Sequence, residues 1–147
     1  MCHAVLLCDT VSDHFTLRFQ PGTTARLERR ARAAGARPRT LATRYVEEGI
    51  RHDDHPQVHF VDGQSGRRAA ILGTQLDVWE VIATVRDNGG DAGPAADYLG
   101  VPRGVVEAAI TYYGDFHDEI DEEIAVNDAE STRAHDAWRA GRQALSG

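Results

Sequence analysis

Apolar and polar residues alternate from His14 to Phe19 and then give way to helical spacing, which predicts one short strand followed by two helices. The alternation puts Phe15, Leu17 and Phe19 on one face and His14, Thr16 and Arg18 on the other. Pro21 and Gly22 end the strand, and a first helix is expected over residues 24–34, with Leu27, Ala31 and Ala34 on one side, Thr23 or Thr24 as cap and Gly35 as stop. A second helix begins near Pro38 and carries Leu41, Ala42, Tyr45, Val46 and Ile50 along one stripe. A lone strand cannot close its own ladder, so this arrangement calls for a second copy of the chain to supply the partner strand.

Past residue 56 the pattern changes. Two short apolar runs at 57–61 and 67–72, separated by a loop at 62–66, predict a β-hairpin. From Asp77 the residues Val78, Val81, Ile82 and Val85 fall at helical spacing until Asn88-Gly89-Gly90 closes the helix. Asp91 caps a short helix over 92–99, Gly100 turns the chain, and Val101-Pro102 launches a helix carrying Val106, Ala109, Ile110, Tyr113, Ile120 and Ile124. The spacing of Ala96, Gly100 and Val106 is that of a helix-turn-helix, in which alanine permits close packing and glycine the turn. The expected fold is mainly α with a short N-terminal β-strand. It divides into residues 14–52, residues 57–127 and a C-terminal tail over 128–147, and His52-Asp53-Asp54-His55-Pro56 reads as the linker.

Charge sharpens this division. The 147 residues carry a formal net charge of −7, yet the nine arginines between His14 and His52 face three glutamates, a local net of +6. The acidic excess lies in the remainder: Asp115, Asp118, Glu119, Asp121, Glu122, Glu123, Asp128 and Glu130 follow one another with no intervening basic residue. Such a run reads as a solvated helix face, with an electrostatic docking surface and a metal-dependent nuclease as the alternatives. Cys2, His3, Cys8 and His14 fit no compact zinc spacing, and the His52 to His55 cluster reads as linker; no metal or other cofactor is expected. The apolar residues 4–8 are too few for a membrane span and lack a basic start, so no membrane contact and a cytoplasmic location are expected.

Residues 15–50, with strand, helix, glycine-containing turn and helix, resemble the ribbon-helix-helix domain of bacterial antitoxins and small repressors. The resemblance implies a homodimer whose paired strands enter the major groove while the start of the second helix clamps a phosphate. Carried over, His14, Thr16 and Arg18 would touch bases, and Arg37, Arg39 and Thr40 would sit at a phosphate of operator DNA. Where that family usually has a serine or threonine cap, this chain reads Arg37-Pro38.

Residues 66–127 resemble the small uncharacterised-domain family 433 through Ile71-x-Gly73-Thr74-x-Leu76-x-Val78-Trp79-x-Val81-Ile82, and through Ala108-Ala109-x-x-Tyr112-Tyr113 followed by Glu119-Ile120-Asp121. That resemblance implies a trihelical helix-turn-helix-like bundle with a hairpin, no catalytic residues, and a neighbouring gene for a toxin of PIN-like nuclease fold. The arrangement as a whole is similar to antitoxins of the VapB type, whose tail covers the toxin; here Trp138, Arg139 and Arg142 would make that contact. The function so implied is non-enzymatic, an antitoxin of a type II toxin-antitoxin system that represses its own operon. The alternatives are a stand-alone ribbon-helix-helix regulator without a toxin, and a tail whose Trp138 packs back on its own bundle.

Overall fold

The computed structural model describes residues 16–63 and 66–146; His14 and Phe15, the cysteines and His3 lie outside the described residues. The elements run α1 (Thr23–Ala33), α2 (Pro38–Asp54), β1 (Val58–Gly63), β2 (Gly66–Ile71), α3 (Val78–Asp87), α4 (Ala92–Leu99) and α5 (Arg103–Leu145). This is the mainly helical composition with one small hairpin that the sequence predicts. The chain divides into two compact units with the boundary between Thr43 and Arg44, inside α2 rather than in a linker after it.

In the first unit, residues 16–20 form no regular element. A ladder needs a second strand, and within one chain this segment has none among the described residues. A tight turn follows in which the Thr23 N–H donates to the Gln20 carbonyl at 3.1 Å and Gly22 takes φ 83°, the left-handed third position of a type II turn after Pro21. Gly22, not a threonine side chain, is therefore the residue before α1. α1 ends as its residues dictate: Ala36 N–H donates to Ala31 O at 2.9 Å and Gly35 N–H to Arg32 O at 3.2 Å, with Gly35 at φ 61°. Those two bonds are the Schellman pair. Ala31 is fully buried, and so is Leu41 on α2. Of the remaining α2 stripe, Tyr45, Val46 and Ile50 stay 45%, 45% and 58% exposed.

The second unit has one core. β1 and β2 pair antiparallel from Val58 opposite Ile71 to Gly63 opposite Gly66, so the pleat turns Val58, Ala69 and Ile71 to one side. Leu72, expected at the strand end, falls in the turn and is exposed. Val78, Val81, Ile82 and Val85 of α3 meet Ala95 and Ala96 of α4 and Val106, Ala109, Tyr112 and Ile120 of α5, all buried. Each such branched side chain contributes roughly 1.5–3 kcal/mol. Alanines on α4 let the helices approach closely, and Gly100 at φ 67° makes the turn into α5. The Asp91 carboxylate caps α4 by accepting from Gly93 N–H at 2.9 Å. Glu80 reaches back to accept from the Asp77 N–H at 2.8 Å at the start of α3.

α5 departs from expectation twice. Its helical geometry breaks at Phe116 (φ −128°, ψ 36°), two residues after Gly114. Residues 128–145, expected as a separate tail, continue the same helix.

Candidate nucleic-acid interface

Helical spacing sets the character of α1. Arg26, Arg29 and Arg30 stand at i, i+3 and i+4 and so share a face, whereas Ala31 points to the buried side. The three guanidinium-bearing side chains are exposed and, among the described residues, alone line a cleft of about 310 Å3. Like charges at these spacings cost a helix about 0.2–0.5 kcal/mol per pair. Arg26 also stands near the positive end of the helix, whose first turn has no acidic residue to oppose it.

The remaining expected positions of the first unit are similarly open. Thr16 and Arg18 are exposed in the irregular segment, and Arg37, Arg39 and Thr40 are exposed at the start of α2. There the Arg37 carbonyl accepts from Leu41 N–H at 3.0 Å, so Arg37 is the residue before the helix and Pro38 its first residue. Pro38 has no N–H to offer, which leaves the Arg39 and Thr40 amides as the free donors of the first turn. Among the described residues, none of Arg18, Arg26, Arg29, Arg30, Arg32, Arg37 and Arg39 forms an ion pair. Seven arginines against Glu28 give residues 16–43 a net of +6.

The acidic run is a solvated face at Asp118, Glu122, Asp128 and Glu130, as expected, while Asp115, Glu119 and Asp121 are engaged by other elements of the fold. Arg51 Nη1 donates to Glu119 Oε2 at 2.8 Å and to the Tyr112 hydroxyl at 2.9 Å, and its guanidinium lies 4.2 Å from the centre of the Phe116 ring. The buried His55 donates through Nε2 to Asp115 Oδ2 at 2.9 Å, which removes it from the linker role. Asp121 accepts from Arg86 and from the Tyr113 hydroxyl, and Arg86 holds its carboxyl below the usual carboxylate range. Burial and the charges of Glu119 and Asp77, partly opposed by Arg68, push Glu123 up to about 7. One of its carboxylate oxygens is buried without a hydrogen-bond partner among the described residues. Burial likewise pushes the Tyr112 hydroxyl up.

These bonds account for Asp115, Glu119 and Asp121 as parts of the fold. Among the described residues no group of three or more metal-binding side chains gathers. A cavity of about 170 Å3 lies beside His55, lined also by Val58, Ala108 and Thr111; the one buried titratable side chain in its wall is His55, already engaged by Asp115. On the helix-turn-helix, Arg103 pairs with Glu107 at 2.8 Å, so that cation is spoken for. At the end of α5, Trp138 is 56% exposed, Arg139 is exposed, and the Arg142 guanidinium lies 5.2 Å from the centre of the Trp138 indole. Trp138 therefore does not pack back on the bundle.

Local sequence gave little warning of Arg51 and His55. Their i, i+4 spacing was the available signal, since it continues the face of α2 past the expected boundary. Among the described residues, no helix is long and apolar enough to cross a membrane. Compared with known protein families, with curated proteins and with solved structures, the chain finds no match in any of the three.

Proposed function

We propose that the chain is a homodimeric DNA-binding repressor and the antitoxin of a type II toxin-antitoxin pair, neutralising a PIN-like ribonuclease by protein contact in the cytoplasm. The observation that carries the reading is the first unit's set of seven arginines, exposed and free of ion pairs among the described residues. A polyanion is the partner that such a surface suits, and duplex DNA binds chiefly through its phosphates. Leu17 and Phe19, 47% and 42% exposed, and the open stripe of α2 support dimerisation, because a ribbon formed with a second copy would cover apolar residues of this kind. In that dimer His14, Thr16 and Arg18 read bases, while Arg37, Arg39 and Thr40 hold a phosphate. The toxin contact rests on the resemblance together with the exposed Trp138 and its neighbours Arg139 and Arg142.

The test is co-purification of the tagged chain with the product of the adjacent gene, followed by a gel shift on the DNA upstream of the pair. A complex that shifts this DNA is expected. A clean shift without a protein partner would remove the antitoxin half and leave a repressor. Deleting residues 129–147 should release the toxin and spare DNA binding; a truncated chain that still neutralises it would move the contact away from Trp138.

A further inference from the structure

The resemblance assigns bases to the strand and a phosphate to the start of α2, and leaves α1 without a role. Yet α1 carries three exposed arginines on one face, Arg26, Arg29 and Arg30, which line one open cleft of about 310 Å3. A guanidinium offers a planar fork of donors that matches two phosphate oxygens, and it stays charged throughout the accessible pH range. Three of them line one open cleft, with no carboxylate among its lining residues, which is the donor chemistry an anion requires. Glu28 and Arg32 stand on other faces of the helix by their spacing from Arg26, so the cleft keeps a single sign.

We propose that this face of α1 is a phosphodiester-binding surface that grips the DNA backbone outside the base-reading contacts. It rests on the DNA-binding reading for the nature of the polyanion and deepens it by adding a sequence-independent grip. Its expected signature is electrostatic. Each phosphate neutralised adds about 0.9 to the slope of log affinity against log salt concentration. The face should therefore raise affinity for all duplexes alike and leave the ratio between them unchanged.

The experiment compares the full chain with Arg26→Gln/Arg29→Gln/Arg30→Gln and with the corresponding triple lysine variant. Binding is measured over a salt series on two duplexes, the sequence upstream of the chain's own gene and a scrambled version. The glutamine variant should lose about 2–3 from the slope per protomer and bind both duplexes on the order of 10–100-fold more weakly at moderate salt. The lysine variant should recover the slope, since a point charge suffices for counterion release. Thermal unfolding of the glutamine variant should match or exceed that of the parent, because repulsion within α1 has been removed. A glutamine variant with parental slope and affinity, in a background where Arg18→Ala weakens the upstream duplex, would overturn the α1 grip and keep the repressor. Equal binding of the two duplexes by the parent, with the slope still lost in the variant, would keep the grip and overturn operator reading. A parent that binds neither duplex would overturn both.

Discussion

Sixteen arginines and no lysine supply all the basic charge of this chain, and its two units use them in opposite ways. In the second unit Arg44, Arg51, Arg67, Arg68, Arg86 and Arg103 each meet a carboxylate, and the pairs of Arg51, Arg67 and Arg86 join elements distant in sequence. Arg67, for example, donates through Nε and Nη2 to the two oxygens of Glu48 at 2.7 and 2.8 Å. In the first unit seven arginines find no such partner among the described residues, and three of them crowd one cleft. Paired arginine is part of the fold; unpaired arginine costs the fold a little and is available to something outside it. The same residue type is thus tied into the fold through most of the second unit, Arg133, Arg139 and Arg142 near the end of α5 excepted, and is left without a carboxylate partner among the described residues of the first.

The strongest way to break this comparison is to remove the structural centre of the second unit. Tyr112→Ala should cost about 3–5 kcal/mol, because a fully buried aromatic ring is lost. A loss of unfolding free energy of less than half that size would show that the packing around Phe116 collapses to fill the space. Arg51→Ala should cost roughly 2–3 kcal/mol, leaving the Tyr112 hydroxyl and Glu119 without their shared cation. Chemical denaturation measures it, and a neutral result would place Arg51 among the dispensable surface pairs.

Arg18→Ala is the counterpart in the first unit. Its stability should stay within ±0.5 kcal/mol while binding to the upstream duplex weakens by about 1–3 kcal/mol. Unchanged binding across a salt series would sink the base-reading role.

Glu123→Gln tests the acidic unit through pH. With its carboxyl raised to about 7, Glu123 is neutral in the folded state at pH values where it ionises in the unfolded chain. Its favourable contribution is thus complete below the ordinary glutamate range and is lost as pH rises through about 7. The glutamine variant should be more stable than the parent at pH 8 by roughly 1 kcal/mol after solvent screening, with the difference vanishing near pH 4. A constant difference across that range would assign the effect to packing. Smallest of all, Arg103→Ala should change stability by less than about 0.5 kcal/mol, as an exposed i, i+4 pair does; a larger loss would mean that the turn into α5 depends on it.

What the sequence made legible is what local chemistry decides. The Gly35 stop, the Asp91 cap, the Gly100 turn and the apolar periods of α3 and α5 depend on residues within a turn or two of each other, and they lie where the pattern puts them. The last turn of α2 was read as linker because His52, Asp53, Asp54 and His55 are polar; what holds it lies on α5, at Asp115 and beyond. The engaged members of the acidic run are hidden from the sequence for a related reason. Its cations come from α2 and α3, so a count along the run itself could not find them. Phe116 breaks α5 at a position no proline marks, with Gly114 as the one local hint. The strand expected from residue 14 takes no regular form over residues 16–20, because a ladder needs a partner strand and none lies beside it among the described residues.

The attachment of α2 to α5 has a consequence for how the chain is made. The hydrogen bonds that define the end of α1 join residues no more than five apart, so α1 can close as soon as it leaves the ribosome. Arg51 must wait for Glu119, 68 residues downstream, which at 5–20 residues per second is about 3–14 s of synthesis. During that interval the last turn of α2 has its charges but not its seats, and a nascent chain halted before Asp115 should show protease cuts around residues 51–55 that a chain extended past Glu119 resists. The end of α1 is thereby closed first, and the acidic unit is sealed only when translation has passed the break at Phe116 and reached Glu119.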